Sequence, residues 1–321
     1  MSTDQNAYGT VLGPQIARTA GAARTLYGTI LPPTTQVAAY VRSGGMKDQD
    51  DEIIRAKLVA TLDEGLKRVR SGLGDYVMVL PDHAENISTA DQMSSLRAGT
   101  KILGLGSGNR RPTFTWTAAA ATFLFDQANV SLDNCILTMA ATGNAGVTCA
   151  APITVSGAGC SISNCQINFG ADADDIVTIG ITTTAAADDF SFCGNKCVGV
   201  TAAECTTFMQ VVGADRLVMH DNFIIGATSS VNVGIVRFIT TASLNIDVQN
   251  CIFVNKKASS VHGVTGVASC TGTVVNTNIG ILDDASLKGW ETKGNLQFFN
   301  CFVSNKAGEV GAAMLPLATG T

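Results

Sequence analysis

The sequence predicts an all-β fold, a right-handed parallel β-helix solenoid with about three strands per coil, and three observations carry that prediction. A strand-and-corner template recurs at a coil-length period in the high twenties to about thirty residues, the mark of a stacked repeat. A second short apolar strand precedes each copy. The composition is 46% hydrophobic and only 15% charged, with 33 glycines, against about 25% charged in ordinary soluble domains.

The clearest copies are Asn129-Val-Ser-Leu-Asp-Asn-Cys-Ile-Leu, Gly159-Cys-Ser-Ile-Ser-Asn-Cys-Gln-Ile, Asn245-Ile-Asp-Val-Gln-Asn-Cys-Ile-Phe and Asn295-Leu-Gln-Phe-Phe-Asn-Cys-Phe-Val. Phe190-Ser-Phe-Cys-Gly-Asn195 and Leu217-Val-Met-His-Asp-Asn222 are weaker ones. Apolar-x-apolar points alternate side chains into a bore, and the run after Asn-Cys forms the next wall. The bend between walls needs a left-handed backbone, which Asn adopts at little cost. Stacked amides can exchange hydrogen bonds along the axis, and Cys supplies a small filler at a tight corner. The expected ladder is therefore Asn134, Cys135, Asn164, Cys165, Asn195, Asn222, Asn250, Cys251, Asn300 and Cys301, with Asn276 in an irregular stretch. The strands upstream of the copies are Thr122-Phe-Leu-Phe125, Pro152-Ile-Thr-Val155, Val177-Thr-Ile-Gly-Ile181, Thr207-Phe-Met-Gln-Val211 and Gly234-Ile-Val-Arg-Phe238.

Texture divides the chain into an extended N-terminal arm (1–45), a capping helix (46–75), the β-helix (76–305) and a C-terminal tail (306–321). The arm is rich in Gly, Ala, Thr and Pro, yet holds too many large apolar residues for a solvated tail. The helix is expected from about Asp50 to Arg70, because Ile54, Leu58, Leu62, Leu66 and Val69 recur at three- and four-residue spacing, with basic residues at the end. An open solenoid end needs a cover, so this helix is expected to be the N-terminal cap.

Charge bounds the partners. A net charge of -5 and a pI near 5.2, with no basic block beyond Arg110-Arg111, leave a nucleic-acid binder without its phosphate-neutralising surface. No run of about 18 apolar residues suggests a membrane span, and the polar start Met1-Ser2-Thr3-Asp4-Gln5 lacks a secretory plan, which points to synthesis in a cytoplasm. The ten cysteines, Cys135, Cys149, Cys160, Cys165, Cys193, Cys197, Cys205, Cys251, Cys270 and Cys301, read as reduced, buried small hydrophobes.

A helix followed by Val79-Leu80-Pro81-Asp82-His83-Ala84-Glu85-Asn86 and then asparagine-marked coils resembles the pectin-lyase-like β-helix superfamily. The run Gly104-Leu-Gly-Ser-Gly-Asn-Arg-Arg-Pro-Thr-Phe-Thr-Trp116 with Leu132-Asp-Asn-Cys135 resembles β-helical structural proteins of tailed-bacteriophage virions. The likeness covers roughly residues 50 to 305. It implies either a capsid decoration protein or a tailspike, and fold alone does not choose.

Motifs that suggest chemistry have plainer readings beside them. Gly104-x-Gly-x-Gly leads into Arg110-Arg111-Pro112 and a β-rich stretch, so an inter-coil turn is expected rather than a phosphate cradle. Cys193-x-x-x-Cys197 with Cys205 lacks a second pair at zinc spacing, and His83, His220 and His262 are dispersed; no metal or cofactor is expected. Cys135 and Cys165 should stack one coil apart, and Cys251 with a neighbour, so disulfides in a mature particle form a minor alternative. Hydrolysis of a glycan needs two carboxylates about 5 Å apart or somewhat wider. Aligning the coils sets Asp188 beside Asp215 and Asp189 beside Arg216, the one acid pair available to a depolymerase. Asp172, Asp174, Asp175, Asp283 and Asp284 read as turn acids. Aromatic platforms for sugars are scarce, and Phe123, Phe125, Phe190, Phe192 and Phe298 fall on inward positions.

The expected function is that of a non-enzymatic virion protein, a homotrimer that cements the major capsid protein shell of a tailed phage. The alternative is a tailspike-like protein that binds or depolymerises host surface polysaccharide.

Overall fold

Strand alternation fixes which side chains share a bore, and parallel stacking carries each position onto its equivalent in the next coil. The computed structural model of the protein describes residues 24–26, 29–31, 36–45, 47, 52–139, 148–169, 176–199, 204–228, 234–255, 262–281, 290–304 and 310–312. Twenty-seven of its strands join one continuous, almost wholly parallel sheet that coils as a β-solenoid.

Three series of parallel pairings run through it. The first wall begins with Val37–Val41, Tyr76–Val79, Lys101–Gly104, Ser131–Asp133 and Ser161–Ser163. It continues through Ser191–Cys193, Val218–His220 and Ile246–Gln249 to residues 272–275 and 296–299. The second wall runs from Ala84–Ile87 and Thr113–Trp116 to Asn278–Ile281 and Phe302–Ser304. The third includes Phe123–Phe125, Ile153–Val155 and the ends of Ile176–Thr183 and Glu204–Val211. Coil length varies along the axis, with 25 residues between Tyr76 and Lys101, 30 between Thr138 and Asn168 and 24 between Asn276 and Asn300.

Register makes the core. One inward column of the first wall is Ala39, Val77, Ile102, Leu132, Ile162, Phe192, Met219, Val248, Val274 and Phe298, every member buried. Phe123, Phe125 and Phe190 are fully buried, as their inward positions require. Trp116 packs edge-on against Phe123 and donates Nε1–H to the Pro152 carbonyl at 3.1 Å. Each such aromatic contributes about 1.5–3 kcal/mol by leaving water.

The N-terminal segment departs from the single helix expected over residues 50–70. Helix α1 (Glu52–Lys57) and helix α2 (Leu62–Leu66) are separated by the strand Leu58–Val59, which pairs with Tyr40 and Val41. Leu58, Leu62 and Leu66 satisfy a helical stripe, but pairing with an upstream strand wins at Leu58. Thr61 then starts a new helix through a capping box with Glu64. Val37–Val41, inside the segment expected to be an arm, is the first rung of the first wall and is buried throughout. Residues 24–26 pair antiparallel with residues 29–31; residues 1–23, 27–28 and 32–35 of the expected arm lie outside the described residues. Of the expected C-terminal tail, Val310–Ala312 returns antiparallel along Phe302–Ser304.

Asp75 ties this beginning together. Its buried carboxylate accepts from Arg70 Nη2 at 2.7 Å, Arg70 Nε at 2.9 Å, Arg70 N–H at 3.1 Å and Gln36 N–H at 3.2 Å. Burial pushes its pKa up, but these donors together hold it below the usual carboxylate range. A depressed folded-state pKa gives stability that is present above the unfolded value, about 3.9, and lost as pH falls through the folded one. Asp75→Asn is therefore expected to lose about 2 kcal/mol at neutral pH. In urea titrations the gap from wild type should close below about pH 4; a gap independent of pH would assign the loss to something other than this charge.

Candidate functional site

The sequence-selected ladder resolves into two columns. At the corner between the first and second walls, left-handed backbone occurs at Asn134, Asn164, Gly194, Asp221, Asn250, Asn276 and Asn300. Three of these amides are linked side chain to side chain: Asn300 Nδ2 donates to Asn276 Oδ1 at 2.7 Å, and Asn276 Nδ2 to Asn250 Oδ1 at 3.3 Å. Nearer the N-terminus the acceptors differ. Asn134 Nδ2 donates to the carbonyls of Gly104 and Gly106, and Asn164 Nδ2 to Asp133 Oδ1 at 2.7 Å.

Asn195 and Asn222 do not belong to that corner. Strand registers place them one residue later, in the inward column of Cys135, Cys165, Cys251, Thr277 and Cys301. Gly194 and Asp221 take the left-handed places. Both amides are buried and span consecutive coils: Asn195 Oδ1 accepts the Cys165 N–H at 2.9 Å, and Asn222 Oδ1 accepts the Asn195 N–H at 3.0 Å. Thr277 Oγ1 accepts the Cys251 N–H at 3.3 Å in the same way. Cys135 and Cys165 do stack one coil apart, whereas the neighbours of Cys251 are Asn222 and Thr277.

A second left-handed corner lies between the third and first walls, at Gly72, Gly99, Asn129, Gly159, Asp189, Arg216 and Asn245. Sequence reasoning missed it, although Asn129, Gly159, Asp189, Arg216 and Asn245 each stand five residues before a first-corner residue. Backbone N–H groups climb this corner: Gly159 to Asp188 O, Asp189 to Asp215 O, and Arg216 to Leu244 O.

The acid pair belongs to this corner. Asp188 Oδ1 accepts the Asp215 N–H at 2.9 Å, and Asp215 Oδ1 accepts the Leu244 N–H at 2.8 Å. Arg216 clamps Asp189 bidentately at 2.6 and 2.9 Å and reaches Asp188 at 3.4 Å. This side-chain hydrogen bonding holds Asp189 below the usual carboxylate range. Each carboxylate thus serves as acceptor for the following coil. Asp172, Asp174, Asp175, Asp283 and Asp284 lie outside the described residues.

Ser43, His83 and Glu85 converge at the N-terminal end of the bore. A hydrolytic triad needs the serine hydroxyl on the histidine base. Here the Ser43 backbone N–H donates to His83 Nδ1 at 2.9 Å, while Ser43 Oγ accepts the Ala84 N–H at 3.0 Å. His83 Nε2–H donates to Glu85 Oε2 at 3.0 Å, which also accepts the Leu62 N–H at 2.8 Å. The group fastens the α2 helix and first rung to the second wall, and the base has no hydroxyl to deprotonate.

All ten cysteines are free thiols, nine of them buried and Cys193 half-buried. Burial pushes Cys165 and Cys205 up to about 12 and raises Cys135 and Cys197 well above a normal thiol, so these are poor thiolates. Among the described residues no group of three His, Cys, Asp or Glu side chains is arranged for a metal ion. The Gly104-x-Gly-x-Gly run forms the corner after Lys101–Gly104, followed by one turn of 3-10 helix at Gly108–Arg110.

A cleft of about 630 Å³ opens on the outer face of the first wall, lined by Tyr76, Lys101, Leu103, Ser131, Asp133, Asn134, Ser163 and Asn164. Asp133 Oδ1 accepts from Ser163 Oγ at 2.8 Å, and Lys101 Nζ lies 3.4 Å from the Asn129 carbonyl. Burial lowers the Lys101 ammonium pKa and raises that of the Tyr76 phenol. The lining mixes donors, acceptors and an aromatic edge, which suits adhesion to a polar surface. Asp188 and Asp215 are elsewhere.

Compared with protein-family models, with curated proteins and with solved structures, the chain has no match in any of the three.

Proposed function

We propose that the chain is a non-enzymatic structural protein of a tailed-bacteriophage virion, a decoration or cement protein that binds the assembled capsid shell as a homotrimer. In this reading the solenoid is right-handed with three strands per coil, the α1–α2 segment closes its N-terminal end, and the residues before the first rung form the attachment arm. One observation supports it above the rest: Asp188 and Asp215, the acids a hydrolase would need, accept backbone N–H groups of the next coil. Polar side chains hold coil to coil, as a rigid scaffold requires. A protein that binds only the assembled lattice stabilises it by mass action, and linked arms raise effective concentration.

The second reading, a tailspike-like protein that binds or depolymerises host surface polysaccharide, is favoured by the cleft beside Tyr76 and Lys101. Copy number in purified virions separates the two. Hundreds of copies per particle are expected for cement, a few copies favour the tail, and absence overturns both. Because Val37–Val41 is the first rung, the informative truncation removes residues 1–35. It should leave a folded solenoid that no longer decorates particles; full occupancy by the truncated chain would refute the arm.

A further inference from the structure

We propose that Cys193 is a thiol–disulfide exchange site served by His220 and Asp247, taking a small-molecule disulfide. The three residues come from consecutive rungs of the first wall: Cys193 pairs in register with His220, and Val218 with Asp247. Phe192 and Met219 fill the bore, so by alternation Cys193 and His220 both face outward, on strands about 4.8 Å apart.

His220 Nε2 lies 3.0 Å from Asp247 Oδ2. A carboxylate only accepts, so the imidazole carries its proton on Nε2 and keeps the Nδ1 lone pair as its basic atom. Asp247 is held in turn by Gln249 Nε2 at 2.9 and 3.0 Å. Cys193 is the one thiol of ten that is not buried, with Ser191 Oγ 3.3 Å from its sulfur. The cluster shares no residue with the corner acids or the cleft, and the inference is independent of any role in a virion.

In the exchange the Cys193 proton passes to His220 Nδ1, and the thiolate attacks one sulfur of the disulfide. A new S–S bond forms to Cys193, the old one breaks, and the other half leaves as a thiolate that takes up a proton. One disulfide replaces another, so no external oxidant enters.

The test treats the folded full-length chain with dithiodipyridine and follows release of thiopyridone. Expected is one equivalent in a fast phase, about tenfold or more ahead of the buried thiols, and its absence in C193S. The titratable groups around His220 are Cys193 behind it, Asp247 ahead of it and Asp221 beside it. H220Q should slow the fast phase about tenfold near pH 7 and have a smaller effect in alkaline buffer, where hydroxide can take the thiol proton in place of the imidazole. A fast phase that survives C193S, or an H220Q rate equal to wild type near pH 7, overturns the proposal. If H220Q exposes further thiols, seen as more than one fast equivalent, D247N carries the same comparison. An unchanged neutral-pH rate there overturns the role of Asp247.

Discussion

Replacing Asn222 by leucine is expected to cost about 3 kcal/mol, because leucine fills the volume and satisfies none of the groups around it. Asn222 Oδ1 accepts both the N–H and the Nδ2 of Asn195, at 3.0 and 3.2 Å, and its Nδ2 donates to the Phe192 carbonyl at 2.7 Å. All of this happens at 1% exposure, where water cannot replace a lost partner. Each orphaned buried donor or acceptor costs about 1–3 kcal/mol. Asn300→Gly is the matched control on the outer column. Asn300 is exposed with φ 50°, and its amide bond to Asn276 is exposed as well. Glycine adopts left-handed backbone readily, so that change should cost no more than about 0.5 kcal/mol. Urea denaturation of both variants decides the matter: equal losses would mean that the two columns are wrongly separated.

That separation shows what the sequence made legible. The solenoid was readable because apolar-x-apolar followed by Asn-Cys ties a strand to a corner in six residues, and stacking repeats the pair every coil. The reading slipped at Asn195 and Asn222 for a physical reason. The inward column needs a small group able to meet the next coil's N–H, and asparagine and threonine meet that need at the place where cysteine serves as filler. An asparagine therefore marks either column. Counting from Phe190-x-Phe192 or Leu217-x-Met219 instead puts Gly194 and Asp221 at the corner, as in the structure. The second corner was harder to see, because arginine at φ 57° is not an expected left-handed residue; its clamp on Asp189 accompanies it there. The break between α1 and α2 depends on Tyr40 and Val41 as pairing partners, which local periodicity does not register. The cleft and the Cys193–His220–Asp247 cluster use outward positions from several coils, where no repeating pattern constrains the residue type.

Gly104→Ala is expected to cost about 3 kcal/mol or more, the second large effect, and it tests the corner from the backbone side. A Cβ on Gly104 would lie 2.3 Å from the Asn134 carbonyl oxygen and 3.0 Å from both the Asn134 carbonyl carbon and Cys135 Sγ. The nearest obstacle is backbone, so no rotamer change relieves it. Either Lys101–Gly104 or the corner at Asn134 must move. Movement strains the pairing of residues 101–103 with 131–133 and the 2.8 Å bond from Asn134 Nδ2 to the Gly104 carbonyl. Gly108, in the same glycine-rich run, supplies the contrast. It has φ 56° and open space where a Cβ would go, so Gly108→Ala carries only the left-handed penalty of about 1–2 kcal/mol. Thermal and urea unfolding should rank Gly104→Ala as the more damaging. The reverse order would mean that these glycines are kept for local turn conformation, and that coils do not meet at the closeness the corner requires.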